Sequence, residues 1–226
     1  MNSLLQRLYA RYYDPVMAAV EREGLGDLRA GLLGDLSGEV VEIGAGTGVN
    51  LAHYGRAVIR VVAVEPSPPM AQRLQTRAEA RADGDGAAAG RRDGDRADGH
   101  HLDVEVVVAP AERLPLPDAS ADAVVTTLVL CSVRDVATSV AEARRVLRPG
   151  GRLVLLEHVA GDGRLGRVQR FVQPVYGPLA GGCHLSRDPL ATIAAAGFAV
   201  DDVRRVELPM PPLARPGLIG TARVTA

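Results

Sequence analysis

Val40-Val41-Glu42-Ile43-Gly44-Ala45-Gly46-Thr47-Gly48 runs a β-branched stretch directly into three glycines at alternate positions. Near-continuous valine and isoleucine predicts a strand buried on both faces, as in a parallel sheet. The glycines allow positive φ and close approach of a ligand to the backbone. A helix over Val49 to Tyr54 would then present free N–H groups at its start. The stretch reads as strand, turn and helix around a nucleotide-type site, although a lone glycine-rich turn also occurs for purely structural reasons.

Further runs of the same kind follow at Ile59 to Val64, Val104 to Val108, Ala123 to Thr127 and Arg152 to His158. Helical stretches fit between strands at Pro69 to Arg81 and Val136 to Leu147, giving repeated βαβ units and a doubly wound α/β fold. After the fifth strand an excursion over 162–188 is expected to cap an acceptor pocket, with Gly163 to Gly182 at its centre. A helix near Pro189 to Ala196 and strands near Phe198 to Leu208 and Leu218 to Val224 complete a seven-stranded sheet with helices on both faces.

Ahead of the first strand, Leu4/Leu5, Leu8/Tyr9, Tyr12/Tyr13 and Val16/Met17 recur at helical spacing. Asp14-Pro15 reads as a junction between two helices, with Asp capping and Pro in the first turn of the second. Residues 1–36 are therefore expected to form a helical lid. The segment 82–101 is almost entirely Gly, Ala, Asp, Arg and His, without apolar periodicity, and reads as a disordered insertion. His100-His101 within it lacks Cys or carboxylate at metal spacing, so no metal is expected.

Composition bounds the rest. A chain of 226 residues, 47% hydrophobic and 23% charged, suits one soluble domain, 1–226, with a substantial core. The net charge is -1, with no basic stripe, so nucleic acid is not an expected partner. All basic residues are Arg. Two cysteines, Cys131 and Cys183, exclude a disulfide framework, and a reducing cytoplasm is the simplest setting. Met1 to Glu23 has no apolar core of signal length, and no run is long enough to span a bilayer, so a soluble, unprocessed protein is expected.

Three features give the turn its chemistry. The GxGxG spacing, with Glu42 two residues before the first glycine, departs from the GxGxxG that packs a helix against pyrophosphate. A phosphate-free, cationic ligand such as S-adenosylmethionine suits an acid there better than a nicotinamide. Glu65 closes the second strand in Val61-Val62-Ala63-Val64-Glu65-Pro66, where a carboxylate can accept both ribose hydroxyls. Ala109-Pro110-Ala111-Glu112-Arg113-Leu114-Pro115-Leu116-Pro117-Asp118 follows the third strand and can frame an adenine ring.

Glu42 to Gly48, Glu65-Pro66, Ala111-Glu112 with Leu114-Pro115, and Leu147-Arg148-Pro149-Gly150-Gly151 are similar to the successive motifs of class I S-adenosylmethionine-dependent methyltransferases. The resemblance implies a Rossmann-like sheet and a cofactor site. In it Gly44, Ala45, Gly46, Thr47 and Gly48 wrap the methionine portion and Glu65 holds the ribose. Met70 packs near adenine, and Ala111-Glu112 border its edge. Glu42, Asn50, Pro66, Thr127 and Leu128 complete the cofactor site. Pro110 stands where many relatives carry Asp, so backbone groups or Glu112 must serve instead. Tyr13-Asp14 looks like the N-terminal Tyr-Asp of many relatives, whose Tyr closes over the cofactor; a core tyrosine on an amphipathic helix is the alternative.

Thr127-Leu128-Val129-Leu130-Cys131-Ser132-Val133 occupies the place of the Asn/Asp-Pro-Pro-aromatic sequence of base- and amide-methylating enzymes, which disfavours that class. The run resembles the thiol S-methyltransferases of the methyltransferase-like family, as do Glu157-His158-Val159, Gln169 to Gln173 and Gly182-Cys183-His184-Leu185-Ser186-Arg187. The similarity extends over most of Glu39 to Gly220. It implies a small lipophilic acceptor, foremost a thiol, with Tyr9, Cys131, Gln169 and Gln173 at the acceptor pocket. Phospholipid amines and quinone-type hydroxyls are the alternative acceptors, and a non-catalytic cofactor-binding module is the alternative of another class. The mammalian members begin with a membrane-associating segment that has no counterpart here, so stable membrane insertion is not expected. The 82–101 stretch is likewise outside the pattern. The oligomeric state is left open.

A thiol has a reference pKa of about 8.5, which leaves a few per cent thiolate at neutral pH, so a dedicated base is not obligatory. If one acts, His158 at the carboxyl end of strand five and His184 in the cap are the candidates. Their alternative role is to donate to backbone carbonyls and shape the pocket. Direct transfer needs no covalent enzyme intermediate, so Cys131 and Cys183 read as small buried hydrophobes.

Overall fold

The β-branched runs become seven strands of one sheet in the computed structural model, which describes residues 3–88 and 102–225. They are β1 (Gly38–Ile43), β2 (Val58–Val64), β3 (Asp103–Val107), β4 (Ala121–Thr127), β5 (Leu147–His158), β6 (Phe198–Glu207) and β7 (Pro216–Val224). Their spatial order is β3-β2-β1-β4-β5-β7-β6, with β7 antiparallel to both neighbours and the other pairs parallel.

Alternation along the central strands divides the core between two faces. Val41, Ile43, Val62, Val64, Val124, Leu153 and Leu155 pack together on one side, and Val40, Val61, Ala63, Ala123, Val125 and Val154 on the other. Both sets are buried because helices cover both faces, as the unbroken apolar runs require. On the first face lie α4 (Val136–Val146) and α6 (Leu190–Ala195), through Val140, Ala143 and Ile193. On the second lie α2 (Gly26–Leu33) and α3 (Pro68–Ala88), through Leu33, Leu74 and Ala78. The chain order reverses between β1 and β4, so the crevice beyond their carboxyl ends is the natural ligand site.

The lid differs from its sequence reading. The first helix, α1, runs unbroken over Ser3–Val20 with Pro15 inside it. Asp14 does not act as a cap, because its carboxylate accepts hydrogen bonds from Thr47 (2.5 Å) and Arg77 (3.0 Å). The backbone leaves helical geometry further on, at Gly24, with φ 121°. The helix expected at Val49 to Tyr54 is only a 3-10 turn over Val49–Ala52. Asn50 and Tyr54 are both drawn inward onto Glu42, and Gly48 enters the turn at φ 82°, so a longer helix does not develop.

Helix α3 extends to Ala88, into the segment read as an insertion. The remainder of that segment, including His100 and His101, lies outside the described residues. The excursion after β5 carries a 17-residue helix, α5 (Gly163–Leu179), followed by a loop into α6. Among the described residues no helix is long and apolar enough to cross a membrane.

Candidate active site

All three glycines of the turn have positive φ: 69° at Gly44, 59° at Gly46 and 82° at Gly48. What surrounds each one differs. A Cβ at Gly44 would lie 2.1 Å from Val129 Cγ2, and one at Gly48 would lie 2.6 Å from Leu74 Cδ1. At Gly46 it would meet nothing closer than Met70 Cε at 3.8 Å. Gly44 and Gly48 are therefore glycine because protein packs on them, whereas Gly46 faces open space.

Glu65 closes the other side of that space. One of its oxygens accepts the Gly46 N–H (2.9 Å) and the other the Ser67 N–H (2.8 Å), which aims the carboxylate across the turn. Burial pushes its pKa up, and the two backbone donors pull it back. Each oxygen retains a lone pair beyond those bonds, the capacity needed to accept a pair of ligand hydroxyls.

Beneath the turn lies a buried polar network. Glu42, 1% exposed, accepts hydrogen bonds from Asn50 (2.8 Å) and Tyr54 (2.8 Å). Asn50 also donates to Thr127 (2.9 Å), and buried Arg29 donates to Asn50 (2.7 Å) and Thr127 (3.0 Å). Arg29 is paired with Glu21 at 3.1 Å. Burial raises Glu42 to about 7 against the pull of Tyr54, Asn50 and Arg29. The network ties the lid, the turn and β4 into one unit. Arg29 gave no signal in the sequence, because a single Arg in an amphipathic helix is ordinarily a surface residue.

A cavity of about 920 Å³ opens above these elements. Of the residues singled out from the sequence, Tyr9, Tyr13, Gly44, Gly46, Glu65, Pro66, Met70, Ala111, Glu112, Thr127, Leu128, Gln173 and His184 line it. Glu42, Ala45, Thr47, Gly48, Asn50, Cys131, His158 and Gln169 do not; they stand behind the wall. Gln6, Ser67, Val129, Ser132, Val133, Arg134, Pro174, Gly177, Pro178, Gly181 and Gly182 also line it. Several of these sit on α5 and the following loop, whose approach to the site depends on tertiary packing.

The walls are braced by side-chain hydrogen bonds between the segments that form them. Glu112 accepts the N–H groups of Arg134 (2.7 Å) and Asp135 (3.1 Å), joining the loop after β3 to the loop after β4. Arg145 on α4 donates to the carbonyls of Leu114 (3.0 Å) and Leu116 (2.8 Å), and Glu142 accepts Leu114 N–H (2.8 Å). The lid reaches the cap where Tyr9 packs on Gly181; a Cβ there would lie 2.7 Å from the phenol ring. Tyr9 and Tyr13 stack obliquely, their ring centres 5.6 Å apart.

Leu128, at the carboxyl end of β4, has φ 56°, a strained conformation for a branched side chain. The Glu157 carboxylate helps hold the chain there by accepting Val129 N–H (2.9 Å) and Leu130 N–H (3.2 Å). Glu157 is fully buried, and desolvation raises it to about 8, followed in effect by the neighbouring Cys131.

The two candidate bases occupy different places. His184 is exposed at the cavity wall, whereas His158 is 3% exposed, with Nε2 2.8 Å from Cys183 Sγ. The glutamines act as clamps. Gln169 is fully buried, accepting Gly161 N–H (2.7 Å) and donating to Leu213 O (2.8 Å). Gln173 accepts Leu185 N–H (2.7 Å) and donates to Cys183 O (2.9 Å), so its amide holds the cap loop while the residue borders the cavity.

The open flank of Gly46, the Glu65 carboxylate and the apolar Pro66, Met70, Ala111 and Leu128 together fit a ligand with an adenosine and an amino-acid end. Residues 41–155 match the methyltransferase domain family Methyltransf_11. The human thiol S-methyltransferase TMT1A is 32% identical over 217 residues, covering 93% of this chain and 80% of that protein. The rat thiol S-methyltransferase TMT1B is 34% identical over 203 residues, covering 87% of this chain and 74% of its own. Geranyl diphosphate methyltransferase, solved in complex with S-adenosylmethionine, shares the fold, with a TM-score of 0.65 at 16% identity, covering 90% of this chain and 85% of its own. The cavity beyond the switch point, the glycine turn and these matches make the chain a member of the class I S-adenosylmethionine-dependent methyltransferases, with S-adenosylmethionine as its cofactor.

Proposed function

We propose that the protein transfers the methyl group of S-adenosylmethionine to the sulfur of a small lipophilic thiol. The observation that carries this reading is the similarity to thiol S-methyltransferases over most of the chain, 93% of it against the human relative. The lid and cap supply Tyr9, Pro174, Pro178, Gly177, Gly181 and Gly182 to the cavity, an apolar setting for a lipophilic acceptor.

In this reading Gly44 and Gly46 seat the methionine end, Glu65 accepts the ribose hydroxyls, and Pro66, Met70, Ala111 and Leu128 enclose the adenine. The cofactor supplies an activated methyl group on a sulfonium. The protein's own task is chiefly to hold the acceptor sulfur in line and close to that methyl group and to keep water out. Tyr9 and Tyr13 serve this from the lid. His184 is placed to take the thiol proton as the sulfur attacks, and burial followed by nearby Arg187 lowers its pKa, keeping the imidazole neutral and able to accept.

The test is a panel of alkyl thiols, polyprenylated phenols and amine lipids incubated with methyl-labelled cofactor, with thioether products identified by mass spectrometry. Thiols are expected to be methylated, and Glu65→Ala to lose turnover together with cofactor affinity. The two lost charge-assisted bonds amount to roughly 1.5–3 kcal/mol each, at least about tenfold in binding. Label appearing only in phenols or amine lipids would overturn the thiol assignment, and binding without any product would leave a cofactor-binding module.

A further inference from the structure

Three segments with no sequence proximity deliver soft ligand atoms to one buried point. Cys131 comes from the loop after β4, His158 ends β5, and Cys183 lies in the loop after α5. Their ligand atoms all lie within 4.8 Å of one another, and the residues are 4%, 3% and 7% exposed. Both thiols are free. His158 turns Nε2 towards the cluster, 2.8 Å from Cys183 Sγ, while its other ring nitrogen, Nδ1, is buried with no hydrogen-bond partner among the described residues.

From this cluster we propose that Cys131, His158 and Cys183 bind a single thiophilic divalent cation of the zinc type, with a fourth coordination position open towards the acceptor cavity. Two thiolates and a neutral imidazole around a divalent ion make a centre of zero net charge, which can be buried without an unpaired charge. Sulfur and imidazole donors select zinc-like ions over magnesium or calcium.

The geometry requires little movement. Tetrahedral zinc at about 2.3 Å from sulfur and about 2.0 Å from nitrogen spaces its ligands roughly 3.5–3.8 Å apart. The His158 to Cys183 pair, at 2.8 Å, must open by roughly 0.7 Å to reach the sulfur–nitrogen spacing, within the reach of side-chain rotation.

The backbones that carry the ligands are already tied together. His184 N–H donates to Cys131 O (2.8 Å), Gln173 holds Cys183 O (2.9 Å), and Arg187 donates to Leu130 O and Cys131 O, each at 3.2 Å. These bonds hold the two cysteine-bearing loops side by side before any ion binds.

None of the three ligands lines the cavity itself, and the open side is assigned from their neighbours. Ser132 and Gly182, each adjacent to one of the cysteines, line the cavity, and Ser132 Oγ is 3.4 Å from Cys131 Sγ. Three protein ligands with one free position is the arrangement of reactive rather than purely structural zinc. An acceptor thiol entering that position would bind as thiolate: its S–H bond breaks, the proton passes to solvent or His184, and a sulfur lone pair binds the cation. Methyl transfer then forms the new S–CH3 bond as the sulfonium S–CH3 bond breaks, that bonding pair staying on the adenosylhomocysteine sulfur. This use of the position rests on the sulfur-methylation reading; the metal site itself does not.

The experiment is anaerobic titration of the reduced, chelator-stripped full chain with Co2+, followed by absorption spectroscopy and by calorimetry with S-adenosylmethionine. One Co2+ per chain with thiolate-to-cobalt charge-transfer absorption, displaced by Zn2+, is expected. Cys131→Ser, Cys183→Ser and His158→Ala are each expected to weaken uptake at least about tenfold, while retained S-adenosylmethionine binding reports that the variant is folded. Added alkyl thiol should shift the charge-transfer band. No cobalt–thiolate absorption, or a Cys131–Cys183 disulfide in zinc-treated protein, would overturn the site, and a band indifferent to thiol would overturn the open position. Full thiol methylation by metal-free Cys131→Ser would overturn the metal's role alone, whereas a thiol-responsive band without any thioether product would overturn the sulfur-methylation reading and leave the site standing.

Discussion

Gly46→Ala separates a ligand-facing glycine from a packing glycine. At Gly46 the added methyl group meets no protein atom within 3.8 Å, so the folded state bears only the left-handed backbone at φ 59°. That strain is roughly 1–2 kcal/mol, and a chain of this size loses about 2–4 °C of Tm per kcal/mol, so a fall of about 2–8 °C is expected. The same methyl group projects into the space flanked by Glu65 and Met70, where the cofactor's methionine end is assigned. Displacing that end should weaken S-adenosylmethionine binding by at least about tenfold, or ~1.4 kcal/mol. Gly44→Ala should behave in the opposite proportion, because its Cβ would stand 2.1 Å from Val129 Cγ2, adding an overpacking penalty of roughly 1–3 kcal/mol to the strain. Thermal melts and calorimetric titration of both variants provide the comparison. Native-like affinity in a folded Gly46→Ala protein would refute the placement of the cofactor over Gly46.

Arg29→Met removes the buried cation from Glu21, Asn50 and Thr127, and should destabilise by about 3–5 kcal/mol, seen as a large loss of Tm in a thermal melt. The pH dependence of stability should carry the mark of Glu42 and Glu157, raised by burial to about 7 and about 8. Between the ordinary carboxylate value near 4.5 and those values the folded state holds more protons than the unfolded one. Their stabilising effect is therefore complete below about pH 4.5 and is lost as pH rises through 7 to 8. Glu157→Gln keeps an acceptor for Val129 and Leu130 and should flatten part of that decline in urea melts from pH 5 to 9; an unchanged slope would show that Glu157 is ionised in the folded protein.

The sheet was legible in the sequence because burial on both faces demands it: Val40 to Ile43, Val61 to Val64 and Val124 to Thr126 are strands for the same reason that they are apolar or closely packed. Gly44 to Gly48 and Glu65 were legible as well, since a tight turn and a strand-end acid are local properties of the chain. Elements held by distant partners were not. Pro15 stays within a helix while Asp14 is engaged by Thr47 and Arg77, and Val49–Ala52 stops after one short turn because Asn50 and Tyr54 are drawn onto Glu42. Glu42 itself lies under the turn, in a network completed by an arginine from the lid. Cys131, His158 and Cys183, separated along the chain by more than twenty residues at each step, have no spacing that marks a shared site. They meet because β4 and β5 pair side by side in the sheet and Gln173 and Arg187 fasten the cap across their ends. Local backbone preference and burial are written in neighbouring residues, whereas convergence of side chains depends on strand order and on contacts between remote segments, which only the folded chain decides.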